Sequence, residues 1–302
     1  MINPNICMCT EKTRGASKKA KNYFMDIQSL QKKAANIRLE SLTAMYKAKK
    51  GCVGGSMSVV EILVSLYYGK IFGKPVMKFD PKKPDWEDQD YLILSKGHAV
   101  PTLYAILADL GFFDKSELSY FAKEGCLLKG KPNFKVPGMS ASILSGGHGL
   151  SVGLGMAMSL QMDRKSNKVF VVMGDGELQN GQVWEAALAC AHYNLNNLVL
   201  FIDNNKVQSG ELITSVMNLP SIQDKFESFG WNVIQVVDGH NFDQILDGIS
   251  RASTSVRKPV CVWCHTVCGK GVDFAEGKPS YQKSVLSEGE MSVVTSKLKE
   301  VL

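Results

Sequence analysis

Two polar clusters, each closing an apolar run, constrain this chain more than any other feature. The run from Lys168 to Met173 leads into Gly174, Asp175, Gly176 and Glu177. The run from Leu198 to Ile202 leads into Asp203, Asn204, Asn205 and Lys206. Between them, Gln182 to Tyr193 reads as a helix with Val183, Ala186, Ala187 and Cys190 on one face. Strand, helix and strand in this order form a β-α-β unit, which makes the strands parallel and the connection right-handed. If the strands are sheet neighbours, their ends lie roughly 5 Å apart. Asp175 and Asn205 then meet outside the carboxyl ends of the strands, where open α/β sheets bind ligands.

The residue types at that meeting point suit a small hard cation. A carboxylate and an amide oxygen are oxygen ligands of the kind Mg²⁺ takes, with water and phosphate oxygens filling the remaining positions. Gly174 and Gly176 permit a sharp turn and a close approach of backbone to phosphate. A Gly-Asp-Gly triplet alone is usually only a turn. Placed between two strand ends with Asn205 opposite, it is a far more specific signal.

The pattern resembles the diphosphate-binding motif of thiamine-diphosphate enzymes. The flanking text is similar to the transketolase family, closest to the amino-terminal half of split, two-subunit forms. The similarity is carried by the segments 94–107, 174–205, 229–245 and 265–274, and it extends from about residue 28 to 290. It implies an α/β fold with a doubly wound, mostly parallel sheet and helices on both faces. It implies thiamine diphosphate as cofactor, with Mg²⁺ (or Ca²⁺ or Mn²⁺) held by Asp175, Asn205 and the backbone carbonyl of Val207. His98, Gly147, Gly174, Gly176 and Glu177 are the further positions implied to meet the cofactor. His98 follows a strand end and is implied to face both the diphosphate and the reacting carbon. Glu185, on the helix that starts at the metal site, is implied to lie near an interface between chains, as a link between active sites or as a plain interface carboxylate.

Composition sets the outer limits. A chain of 302 residues suits one large α/β domain with an ample core. No apolar run approaches the roughly 18 residues a membrane span needs, and the first residues lack the apolar core of a signal peptide. The 8 Cys show no paired spacing of a secreted disulfide scaffold, so the cytoplasm is the expected location. The net charge of +6 is uneven. Residues 1–50 hold 11 Lys/Arg against 3 Asp/Glu, a balance of +8, which leaves −2 for the rest. Without interleaved aromatics this reads as a solvated face rather than a nucleic-acid or membrane site.

Along the chain, residues 1–26 read as a flexible basic extension and residues 27–302 as the cofactor domain. Helices are expected over 27–49, 58–68, 101–110, 150–161, 242–252 and 288–301. Further strands are expected over 90–94, 232–237 and 259–265. Residues 125–147, rich in Gly, Lys and Ser, read as a long loop, and loops of that length in compact domains are usually functional. Cys261, Cys264 and His265 match the spelling of a haem-attachment signature, and Cys268 adds a fourth possible zinc ligand. On a strand, however, Cys261 and Cys264 fall on opposite faces and cannot chelate one ion.

The chain departs from the transketolase pattern at its substrate positions. The family's first Gly-His-Pro becomes Gly51, Cys52 and Val53; its second becomes Gly130, Lys131 and Pro132. The Gly-Ser-Leu-Gly-Gln-Gly turn becomes Leu144 to Gly149, with His148 in place of Gln. The late Trp-His-Gly becomes Tyr281, Gln282 and Lys283, and the interface carboxylate becomes Asn180. Of four active-site histidines only His98 remains. His148 is also similar to the Gly-His turn of the pyruvate-using deoxyxylulose-phosphate synthases. Cys52, Lys131, His148 and Gln282, with His98 and Glu185, are therefore the candidate catalytic positions.

The expected activity is transfer of a two-carbon unit from a ketose or keto donor to an aldehyde. The alternatives are a carboligase using pyruvate or another α-keto acid, and a catalytically silent cofactor-binding paralogue. The family's pyrimidine-binding domain is expected on a partner subunit, giving an α2β2 heterotetramer in which this chain also self-associates.

Overall fold

The computed structural model describes residues 26–302. The basic extension expected over 1–26 therefore lies, apart from Asp26, outside the described residues.

The core is a five-stranded sheet: β1 (Tyr91–Leu94), β2 (Val169–Gly174), β3 (Leu198–Asn204), β4 (Asn232–Val236) and β5 (Val260–His265). Its order is β1-β2-β3-β5-β4, and every pair is parallel. Residues of β2 and β3 are buried along their whole length, which is why they read as continuous apolar runs rather than alternating ones. Gly174 pairs with Asp203 in register, so the two polar clusters emerge side by side.

Helices cover both faces. On one side α1 (Ile27–Ala48), α3 (Val60–Tyr68), α4 (Val100–Leu110), α7 (Phe242–Ser253) and α8 (Glu288–Val301) pack with Val172, Phe201, Val262 and Cys264. On the other, α5 (His148–Met162) and α6 (Gly181–His192) pack with Val171, Met173, Leu200, Ile202 and Cys261. Cys261 and Cys264 thus belong to different cores, as strand alternation requires. Gly153 lets α5 lie directly on the sheet, since a Cβ there would sit 2.6 Å from Val171.

The helix ends follow local chemistry. Asp26 caps α1 by accepting from the Ser29 amide at 2.8 Å. Ser287 and Glu290 form a reciprocal capping box at the start of α8.

Among the departures from the expected elements, two adjoin the strand ends. The helix expected from Ser58 begins only at Val60, and a separate short helix, α2 (Val53–Met57), precedes it. Its glycines are helical because the space is already taken: a Cβ on Gly54 would meet Cys268 Sγ at 2.4 Å. A small antiparallel hairpin pairs Val207 with Leu212 just after β3. Two-residue strands are too short to show a period of 2 in sequence.

Candidate active site

The carboxyl ends of β1, β2 and β3 open on a cavity of about 590 Å³. His98 enters from the turn after β1, Asp175 from the turn after β2, and Asn205 and Val207 from the segment after β3. Cys52, Lys131, Gly174, Gly176, Glu177 and Gln282 line the same cavity. Most of the candidates are therefore brought together.

At the floor, oxygen atoms converge. Asp175 is buried; its Oδ1 accepts from the Gly176 amide at 2.8 Å and its Oδ2 from the Lys206 amide at 2.7 Å. Asn205 is also buried, and its Oδ1 accepts from the Val207 amide at 3.0 Å. Its Nδ2 donates to Ser58 Oγ at 3.2 Å. Asp175 Oδ1 and Asn205 Oδ1 each keep a second lone pair. Burial, and then the neighbouring charge of Asp203, push the Asp175 carboxyl up to about 7 despite the Lys206 and Gly176 amides and Lys96. One buried carboxylate, one amide oxygen and one backbone carbonyl form an all-oxygen donor set that suits a hard divalent cation. The residues present fit the metal the fold implies.

A second layer holds this floor. With the Asn204 amide oriented to satisfy both its atoms, Nδ2 donates to Asp175 Oδ2 at 3.0 Å and Oδ1 accepts from Trp263 Nε1 at 3.0 Å. Behind Asn205, Lys96 and Asp203 form a buried ion pair. Ser58 donates to Asp203 at 2.7 Å and accepts from Lys96 at 2.9 Å, and Thr266 donates to the other Asp203 oxygen. Burial alone would raise the Asp203 carboxyl, but the Lys96 charge and the hydroxyl donors outweigh it, and it lies below its ordinary value. Sequence reasoning missed Lys96, Asp203, Ser58, Thr266, Asn204 and Trp263 as members of the site. Only Lys96 and Asp203 carried a signal, as charges at the ends of apolar strands.

His98 sits in the single turn Gly97–Ala99. Its Nε2 is buried and has no hydrogen-bond partner. Gly55 packs against it so closely that a Cβ there would lie 2.4 Å from Nε2. Burial first, then Lys96 and Lys131, lower the imidazole to about 3, against a smaller opposing effect of Asp203. The ring lines the cavity as a neutral group, and its buried Nε2 lacks a partner among the described residues.

Glu177, which lines the cavity, is also held by three donors. Its carboxylate accepts from Ser95 Oγ at 2.6 Å, from the Gly147 amide at 2.7 Å and from the Gly174 amide at 2.8 Å. It ties the turn before α5 to the Gly174 turn. Gly147, at φ 87°, is in the left-handed region that favours glycine. Gly146, rather than Gly147, lines the cavity.

The substrate-side candidates divide. Cys52 is half-buried; burial raises its thiol, partly offset by Lys131, Lys96 and Lys283. Lys131 reaches the cavity from the long loop. Gln282 is buried and both ends of its amide are taken: it donates to the Val207 carbonyl at 2.8 Å and accepts from the Gly210 amide at 2.6 Å. These two bonds clamp the hairpin after β3.

Two candidates do not join the site. His148 occupies the first position of α5, exposed, with Nδ1 3.3 Å from the Ser145 carbonyl, and it does not line the cavity. Glu185 lies on the outer face of α6, opposite the buried Val183, Ala186, Ala187 and Cys190, and it does not line the cavity either. His148 is turned away from the cavity by its place on α5, whereas Glu185, expected near an interface between chains, is exposed on α6.

Known proteins share this arrangement. Residues 29–299 match the family described as transketolase, thiamine diphosphate binding domain. The 6-deoxy-6-sulfo-D-fructose transketolase subunit SqwG of Clostridium sp. (strain MSTE9) is 36% identical over 272 residues, covering 90% of this chain and 96% of that protein. An apulose-4-phosphate transketolase subunit of Phocaeicola vulgatus is 35% identical over 261 residues, covering 86% of this chain and 90% of that protein. The crystal structure of a transketolase from Campylobacter jejuni superposes with a TM-score of 0.83 at 26% identity, covering 91% of this chain and 43% of that one.

Proposed function

The chain belongs to the transketolase family, and we propose that it is the metal- and diphosphate-binding half of an enzyme completed by a pyrimidine-binding subunit. The observation that carries this reading is one cavity lined by Asp175, Asn205, Val207 and His98 together. Asp175, the Asn205 amide oxygen and the Val207 carbonyl would hold Mg²⁺. His98 and the backbone of the Gly174 and Gly176 turn would meet the diphosphate end of thiamine diphosphate. When bound, that cofactor supplies the carbon nucleophile that cleaves and forms bonds beside a carbonyl. The chain's own contribution is position. Gln282 fixes the Val207 carbonyl, Asn204 and the backbone amides fix Asp175, and Gly55 leaves His98 its place.

The reaction we assign is transfer of a two-carbon unit from a ketose donor to an aldehyde. The names of the relatives, one a sulfo-sugar and one a sugar-phosphate transketolase subunit, favour a ketose over an α-keto acid. That both are subunits supports a partner chain, and with it an α2β2 assembly in which this chain also meets a second copy of itself. Among the described residues no helix is long and apolar enough to cross a membrane, and we place the enzyme in the cytoplasm.

Titration calorimetry of thiamine diphosphate into the purified chain with Mg²⁺ tests the reading. Binding is expected for the native chain and should be lost in Asp175→Ala with the fold retained by circular dichroism. Turnover of xylulose 5-phosphate should require addition of the partner subunit. Unchanged cofactor affinity in the variant, or turnover by the chain alone, would remove the proposal.

A further inference from the structure

The floor and the rim of the cavity differ in charge. Both carboxylates on the floor are committed, Asp175 to the proposed metal set and Glu177 to Ser95 and two backbone amides. At the rim stand Lys50, Lys131 and Lys283, all exposed and all lining the cavity. Lys96, the fourth lysine on the cavity wall, is buried and paired with Asp203.

The rim lysines are close to the working part of the pocket. Lys131 lies against the turn that carries His98: a Cβ on Gly97 would be 3.3 Å from its Cδ. Lys50 comes from the end of α1, and its Cε lies 3.8 Å from where a Cβ on Gly130, the residue before Lys131, would be. Lys283 adjoins the Gln282 clamp. The charges of Lys131 and Lys283 are both felt at Cys52 and at His98. Among the described residues none of the three ammonium groups has an ion pair or hydrogen bond, whereas seven other lysines do pair with carboxylates. Three unpaired like charges around one opening repel one another. An oxyanion entering the cavity would relieve that repulsion and gain charge-assisted hydrogen bonds.

We propose that Lys50, Lys131 and Lys283 form an oxyanion subsite that selects donors carrying a phosphate, sulfonate or carboxylate group. The inference rests on the reading of the cavity as a two-carbon-transfer site. It adds a determinant of donor choice supplied by this chain rather than by its partner. Solvation of the lysines, or pairing with carboxylates of the partner chain, would leave donor choice independent of them.

The test uses the cofactor-loaded complex of both subunits, with glycolaldehyde as a neutral acceptor. Donors are xylulose 5-phosphate, whose anion is distal, pyruvate, whose carboxylate adjoins the carbonyl, and erythrulose, which is neutral. In the Lys131→Met, Lys283→Met double variant the ratio of kcat/KM for the preferred anionic donor over erythrulose should fall roughly ten- to hundredfold. Which anionic donor falls identifies where the anion sits. Lys131→Arg, Lys283→Arg should retain most of the ratio. An unchanged ratio overturns the proposal, and so does a parallel loss of thiamine-diphosphate affinity by calorimetry, which would assign the lysines to the cofactor.

A second measurement is independent of turnover. Inorganic sulfate titrated into the cofactor-loaded chain should bind, and binding should be lost in the Lys50→Met, Lys131→Met, Lys283→Met variant. Equal binding by both chains overturns the subsite even if no donor is turned over. Loss of cofactor binding in Asp175→Ala separately reports on the cavity reading.

Discussion

Replacing Asp175 with Asn should stabilise the cation-free chain at alkaline pH and destabilise it at acidic pH. The carboxyl titrates at about 7 in the fold against an ordinary 3.8, because burial and Asp203 oppose its charge. Well below pH 3.8 it is protonated in both folded and unfolded chains and contributes nothing. As pH rises from there to about 7 the unfolded chain ionises first, so the folded state loses stability; above about 7 the loss is constant. A gap of about 3 units at roughly 1.36 kcal/mol each sets it at roughly 4 kcal/mol. Asn removes that cost but keeps only one acceptor for the amides of Gly176 and Lys206. The orphaned amide costs about 1–3 kcal/mol. At about pH 8 with a chelator, Asp175→Asn should therefore be about 1–3 kcal/mol more stable than the native chain, and at about pH 4 it should be less stable. In a chain of 302 residues each kcal/mol moves Tm by roughly 1–2 °C. Thermal unfolding at both pH values, with chelator and with Mg²⁺ plus thiamine diphosphate, reads all of this. The ligands should raise Tm of the native chain only, since stabilisation follows binding to the folded state. A variant less stable by the same amount at both pH values would refute the burial argument. Equal protection by the ligands would refute the metal assignment.

Trp263→Phe should weaken Mg²⁺ binding about tenfold with little change in Tm, because the Asn204 amide that donates to Asp175 would lose its own donor. A Mg²⁺ titration at saturating cofactor that superposes on the native curve would show that the relay does not hold Asp175. Arg38→Ala should destabilise the fold by about 3–5 kcal/mol in chemical denaturation. It leaves the buried Glu61 with His240 but without its permanent countercharge; in the native chain the carboxylate lies below its ordinary value because Arg38 and His240 outweigh its burial. Arg38→Met combined with Glu61→Leu should recover much of the loss, and no recovery would mean that Arg38 acts through its bond to the Lys270 carbonyl instead.

Positions fixed by strand periodicity were legible in the sequence. The apolar runs ending at Met173 and Ile202 located β2 and β3, and parallel pairing then placed Asp175 near Asn205 without any tertiary information. The opposite facing of Cys261 and Cys264 followed from the same period of 2. Residues that act through long-range hydrogen bonds were not legible. Ser58 meets Asp203, and Gln282 meets Val207, only after the chain has folded, and nothing local marks a serine or glutamine for such a partner. His148 shows the converse error: motif position put it beside the site, but the side chain of a helical residue is aimed by its place on the helix, and it does not face the cavity.

The groups facing the cavity bear on where protons move during turnover. His98 is held neutral far below physiological pH by burial and by Lys96 and Lys131. The thiol of Cys52 is raised by burial, so it remains protonated at neutral pH. Gln282 has no titratable group, and its amide bonds backbone at both ends. Asp175 titrates near neutrality without a cation, but a bound divalent ion favours its ionised form. With metal in place, neither His98 nor Cys52 changes charge around neutral pH, and His98 can act there only as a neutral hydrogen-bonding group. Glu177 is the remaining carboxylate on the cavity wall; burial raises it, against the donors Ser95, Gly147 and Gly174. On the proposed function, in which the site is completed by a second polypeptide, His98 and Cys52 then contribute position rather than a change of charge.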